Sequence, residues 1–170
     1  VMSLYHVYAR LTPAAPDTLV LRIIVLAFCL TLSFLLFPFR STTPLDEEST
    51  RIDAGAADAW LVVTPAQHMR AVLSRSPCPN MPLILCSKGI EEGSGLLLHQ
   101  VASQLCPSSP LAVLSGPTFA HEVAAGMPTA VTLACDDQAL GERLRSRIAL
   151  PAFRTYWTDD VAGAEIGGAV

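Results

Sequence analysis

The sequence predicts an α/β fold, a doubly wound parallel sheet with helices on both faces, and three observations predict it. Short apolar runs recur with turn residues between them: AWLVV at 59–63, LILC at 83–86, LAVL at 111–114 and AVTLA at 130–134. Longer stretches follow in which apolar residues return at helical spacing. Strands that alternate with amphipathic helices build parallel sheets, because a parallel neighbour needs a crossover connection. The third observation is the stretch LAVLSGPTFAHEVAAGMPT at 111–129, where a buried strand runs into Ser115-Gly116-Pro117 and then into a helix.

The elements follow in order from Ala56. Ala59–Val63 is the first strand. Thr64-Pro65-Ala66-Gln67 reads as a capping box with proline at the first helical position, and its helix runs through Met69, Val72 and Leu73. A proline-rich turn at 76–82 leads to the strand Leu83–Cys86. Ser87-Lys88-Gly89-Ile90-Glu91 comes next, then a helix with Leu97, Val101 and Leu105 on one face. Leu111–Leu114 is the third strand, and its helix opens near Thr118 and ends at Gly126, a C-cap candidate. Ala130–Ala134 is a fourth strand. Asp136 or Asp137 caps a helix with Leu140, Leu144 and Ile148 at i, i+4 and i+8. Phe153–Trp157 alternates as a short fifth strand, and Asp159 begins a last, interrupted helix.

Residues 1–54 differ from the rest: they contain no glycine, while Gly55 onward holds all ten. From Leu19 to Phe39 the chain is nearly uniformly apolar, and the uncharged run Ile23–Phe39 is 17 residues long. A bilayer span needs roughly 17–25 residues, so a membrane helix over 19–39 is the expectation. Arg22 at one end could snorkel and Arg40 marks the other. A signal peptide fits less well, since no small-residue cleavage site follows; a buried strand at IIVLAF is the third reading. Ser41–Glu48 is a polar, acidic linker. The division is therefore a hydrophobic segment with linker over 1–54 and a partial ligand-binding α/β domain over 55–170.

A chain of 170 residues can bury one real core, and a net charge of −4 gives no footprint for nucleic acid. The five cysteines, Cys29, Cys78, Cys86, Cys106 and Cys135, show no C-x-x-C pair. They read as reduced thiols of a cytoplasmic domain, and neither they nor His6, His68, His99 and His121 have metal-ligand spacing.

Chemistry concentrates at two strand ends. Lys88, the sole lysine of the chain, follows the second strand beside Gly89. Gly116 permits close backbone approach, Pro117 presets a helical φ, and Thr118 adds a hydroxyl where a helix N-terminus points out of the strand end. In an open α/β sheet ligands sit at the carboxyl ends of the strands. A cation, a glycine turn, a hydroxyl and a helix N-terminus make a site for a small phosphorylated or anionic molecule. The plainer alternatives are a solvated surface lysine and an ordinary helix start.

Four blocks carry a resemblance: LVVTPAQHMRAVL, LILCSKGIE, AVLSGPTFAHEVAAGMPTAV and DDVAGAEIGGAV. In that order and spacing, over about 56–170, they resemble the bacterial NAD(P)-dependent glycerol-3-phosphate dehydrogenase family. The resemblance implies an incomplete Rossmann-like fold and an oxidoreductase that interconverts sn-glycerol 3-phosphate and dihydroxyacetone phosphate by hydride transfer with NAD or NADP, for phospholipid precursor synthesis. It implies that Lys88, Gly116 and Thr118 bind substrate and that Lys88, Pro65 and Ala120 contact the cofactor, while His121 and Glu122 read as helix surface. The family's G-x-G-x-x-G pyrophosphate loop has no counterpart here, and its proton-transfer lysine is expected just after Val170. No catalytic residue is therefore assigned within the chain, which by itself is expected to be inactive. A related β-hydroxyacid dehydrogenase, and a membrane-attached non-catalytic remnant or binding module, are the alternative readings.

Overall fold

The computed structural model describes residues 58–75, 78, 80–118, 122–123 and 125–169. Five strands form one sheet in the order β1-β2-β3-β4-β5: β1 Trp60–Val62, β2 Leu83–Leu85, β3 Leu111–Ser115, β4 Thr129–Ala134 and β5 Phe153–Thr158. The first three are parallel, with Trp60 opposite Leu83 and Leu83 opposite Leu111. Every residue of β1 and β2 is buried, as strands covered on both faces require. The expected membrane helix over 19–39 and the linker lie outside the described residues. No helix among the described residues is long and apolar enough to cross a membrane.

The sheet departs from a fully parallel one at β4, which runs antiparallel to β3 with Val113 opposite Ala134, while β5 runs parallel to β4. The connection after Ser115 does not cross back over the sheet. Its helical residues Glu122 and Val123 lead to Gly126, at φ +71°, where the Met127 and Gly126 amides donate to the Glu122 and Val123 carbonyls. That left-handed glycine cap turns the chain straight into β4.

The helices are α1 Ala66–Leu73, α2 Leu98–Leu105, α3 Gln138–Ile148 and α4 Val161–Ala169. One face of the sheet presents Trp60, Val62, Leu83, Leu85 and Val113 to α1 and α2, with Val161 and Ala164 of α4 packed against the same cluster. The other face presents Leu61, Ile84, Leu114 and Leu133 to Leu140, Leu144 and Ile148 of α3. Asp137 caps α3 by accepting from the Ala139 and Leu140 amides at 2.9 and 3.3 Å. Gly141 admits the Trp157 indole, which a Cβ there would overlap, and the indole donates to the Cys135 carbonyl at 3.2 Å.

Three local expectations are corrected. In α2 the buried ridge is Leu98, Val101 and Ala102, because Leu97 lies outside the helix and bridges Ile90. The last helix is not interrupted: α4 runs nine residues through Gly163, Gly167 and Gly168, held at its start by Asp160 Oδ1, which accepts from the Gly163 amide at 2.8 Å. Cys78 and Cys106 are not reduced thiols but a disulfide, with Cα atoms 5.3 Å apart. The α1–β2 connection and the end of α2 both arrive at the amino ends of the parallel strands, which brings two cysteines separated by 28 residues together.

Candidate functional site at the carboxyl edge of the sheet

The register of β1, β2 and β3 gathers the segments after Val62, Leu85 and Ser115 at one edge. There the Lys88 ammonium donates to the Gly116 carbonyl at 2.9 Å, across 28 residues of sequence. The two strand ends read as one site are thus joined directly. Partial desolvation lowers the Lys88 pKa from its ordinary value, since burial disfavours the charged form. The same carbonyl accepts the Thr118 amide at 2.9 Å. That N–H is engaged by the turn, and Thr118 stands half-buried beside it.

Gly116 is required by the sheet itself. A Cβ there would lie 3.2 Å from the Ala130 oxygen and the Val131 Cα, so the missing side chain lets β4 pass close to the end of β3. Pro65 is exposed at the same edge, at the N-cap of α1. Ser87 Oγ donates to the Thr64 carbonyl and ties the ends of β1 and β2 together beside Lys88. Ala120 and His121 lie outside the described residues, and Glu122 is half-buried on a helical turn. Cys86, just before the lysine loop, is buried with its thiol pushed up to about 12 by desolvation, which leaves it protonated and inert at neutral pH.

The expected capping box does not form. Pro65 caps α1 with no side-chain hydrogen bond, and the buried Thr64 hydroxyl has no hydrogen-bond partner among the described residues. Gln67 reaches away from its own helix, donating to the Ile90 carbonyl at 2.9 Å and accepting from the Glu92 amide at 2.7 Å. One turn on, Arg70 donates from Nε and Nη2 to the two oxygens of Glu91, each at 2.8 Å. Ser94 Oγ donates to the same carboxylate at 2.5 Å. The guanidinium first, and the Ser94 hydroxyl next, hold the Glu91 carboxyl below its usual value. Sequence reasoning missed these residues, although the i, i+3 spacing of Gln67 and Arg70 puts both on one face of α1.

Helix α4 also reaches this edge. Its one buried side chain is a carboxylate: Glu165 accepts the His99 backbone N–H at 3.0 Å and lies 2.7 Å from His99 Nδ1. The N-cap of α2 is Leu97, which has no side-chain acceptor, so Glu165 serves the N-terminus of that helix from another element. Gly168 then lies against Ser115, whose hydroxyl a Cβ would overlap. The end of α4 stands next to the turn that Lys88 grips. A cleft of about 470 Å³ elsewhere in the fold, lined by Cys106, Leu111, Cys135, Asp136 and Leu140, shares no residue with this edge.

Comparison with known proteins decides the family. The family described as NAD-dependent glycerol-3-phosphate dehydrogenase N-terminus matches residues 47–141. The chain belongs to this family. A glycerol-3-phosphate dehydrogenase [NAD(P)+] of Erythrobacter litoralis is 62% identical over 118 residues, 69% of this chain and 36% of its own. The Zymomonas mobilis protein of the same name is 54% identical over 118 residues, covering 69% and 35%. The crystal structure of the Coxiella burnetii glycerol-3-phosphate dehydrogenase superposes with a TM-score of 0.62 at 34% identity, over 67% of this chain and 36% of that one. The chain therefore spans about a third of the length of the curated relatives it matches. The family's Rossmann-like architecture is the one seen in β1 to β5, and these names favour it over the hydroxyacid alternative.

Proposed function

We propose that this chain forms part of an oxidoreductase that interconverts sn-glycerol 3-phosphate and dihydroxyacetone phosphate with NAD or NADP, supplying phospholipid precursors. The observation that supports it most is the Lys88 ammonium held on the Gly116 carbonyl at the carboxyl edge of β2 and β3. A phosphorylated substrate arriving there meets a fixed positive charge and the Thr118 hydroxyl, and charge-assisted hydrogen bonds are the strong ones. Lys88 would hold and orient the substrate on one side and border the dinucleotide on the other, with Pro65 and Ala120 along the cofactor's path. When bound, the nicotinamide cofactor supplies the hydride acceptor or donor.

The residues fit that cofactor only in part. The exposed Pro65 and the Lys88 edge suit its nicotinamide end, but no G-x-G-x-x-G occurs anywhere in the sequence to cradle the pyrophosphate. Purified chain is expected to show no glycerol-3-phosphate oxidation above background. The reading is tested by grafting residues 59–169 in place of the matching segment of the Erythrobacter litoralis enzyme. The chimera should oxidise sn-glycerol 3-phosphate, and Lys88→Met within it should lower kcat/KM by about 10²-fold or more, as loss of one fixed charge-stabilising group does. A folded but inactive chimera, or full activity in the Lys88→Met form, would overturn the proposal.

A further inference from the structure

We propose that Gln67 and Arg70 of α1 are positioning residues for Lys88: they latch the 89–96 loop and so hold the ammonium on the Gly116 carbonyl. This rests on reading Lys88 as the substrate-facing cation. Gln67 engages the loop as a neighbouring strand would, with its carboxamide oxygen on one backbone N–H and its nitrogen on a backbone carbonyl two residues away. Arg70 grips the next carboxylate with two parallel bonds, a geometry that fixes orientation as well as distance. A third bond from Arg70, to Gln104 of α2 at 3.2 Å, sets the guanidinium between the two helices. The loop closes on itself as well, through the Glu91 amide on the Leu96 carbonyl and the Gly95 amide on the Glu91 carbonyl, each at 3.0 Å.

Lys88 enters this latched loop through Gly89, whose φ of +120° few other residues adopt. A Cβ on Gly89 would lie 3.2 Å from the Ala66 Cβ, so the loop's first residue rests on the start of α1. The chain from Lys88 to Ser94 is thereby referenced to one helix, and the lysine side chain leaves it to reach the turn after β3. A flexible lysine gives up rotamer freedom when its ammonium is held in one place. Fixing its backbone lowers the cost of directing the ammonium to one place. Neither Gln67 nor Arg70 is needed to fill the core, since Gln67 is exposed and Arg70 half-exposed. Their bonds all point to the loop or to α2.

The test uses the full 170-residue chain without ligand. Lys88 is the sole lysine, so isotope-labelled lysine gives one side-chain Cε signal. Burial of the held ammonium should keep its titration midpoint below the ordinary lysine value in the native chain, and in Gln67→Ala and Arg70→Met the midpoint should rise toward that value. The backbone order parameters of Lys88 and Gly89 should fall from about 0.85 toward 0.6 in both variants. Arg145→Met, which breaks the Glu142–Arg145 surface pair on α3, should change neither quantity. Gln67 is exposed, so its alanine form keeps the fold and the test informative even where Arg70→Met is poorly folded. Unchanged midpoint and order parameters in Gln67→Ala would overturn the latch, as would an equal change in Arg145→Met. Because no substrate is present, a failed chimera refutes the enzymatic reading without touching this result.

Discussion

Replacing Glu165 with alanine should destabilise this fold more than any other single change in α4. The carboxylate is 3% exposed and accepts from His99 twice, once from the backbone N–H and once at Nδ1. Loss of an N-cap acceptor costs about 1 kcal/mol. The His99 ring, 23% exposed, also loses its partner, at a cost toward the lower end of the about 1–3 kcal/mol for an unpaired donor. The helix-propensity gain of alanine over glutamate is a few tenths of a kcal/mol and offsets little of this. The expected loss is therefore about 2 kcal/mol, a sizeable fraction of the roughly 5–15 kcal/mol that holds a typical domain. Glu165→Gln keeps an oxygen for the His99 amide and should lose about half as much. Urea denaturation followed by circular dichroism measures both, and amide exchange at His99 and Gln100 should speed up first. A Glu165→Ala change below about 0.5 kcal/mol, within the range of an ordinary surface substitution, would show that Glu165 does not cap α2. So would a glutamine form weaker than the alanine form.

Gly141→Ala should destabilise although alanine favours helix, because the added methyl displaces the Trp157 indole from the Cys135 carbonyl. Overpacking costs about 1–3 kcal/mol against a propensity gain of about 1 kcal/mol; a more stable Gly141→Ala protein in urea melts would contradict this. Reducing the Cys78–Cys106 disulfide should cost about 3–4 kcal/mol from the loop of 28 residues it closes, read as a lower denaturation midpoint with dithiothreitol that Cys78→Ser reproduces without it. The lowered Glu91 pKa gives an acid-side prediction. Its contribution is present above the ordinary value of 4.5 and is lost as pH falls through the lower folded value, so Arg70→Met should flatten the stability–pH profile below 4.5.

Much of this architecture was legible in the residues. Leu140, Leu144 and Ile148 return every fourth position and became the buried stripe of α3, and Asp137 capped it as its placement suggested. That Lys88 and Gly116 share one edge of the sheet was also readable, because both follow parallel strands at their carboxyl ends, but the direct bond between them was not. Strand direction at β4 was not, since an apolar run such as AVTLA looks the same whichever way it is threaded. The LLL run at 96–98 hid the phase of α2, because any of three leucines could begin its buried ridge. Gln67 shows the deepest limit. The same glutamine satisfies a local capping rule and a bond to a loop 23 residues away, and only the fold decides between them. Nor could spacing alone pair Cys78 with Cys106, which meet because two connections end at the same side of the sheet.

In the proposed function, Lys88 and the Gly116–Thr118 turn together receive a small phosphorylated molecule. The most direct test is to titrate the isotope-labelled chain with sn-glycerol 3-phosphate and follow the single Lys88 side-chain signal together with the Gly116 and Thr118 amides. All three should shift together and saturably, and Lys88→Met should abolish the shifts of the two amides while the rest of the spectrum stays folded. Shifts confined to residues away from this edge, or amide shifts that persist in Lys88→Met, would rule out a joint role for Lys88 and this turn.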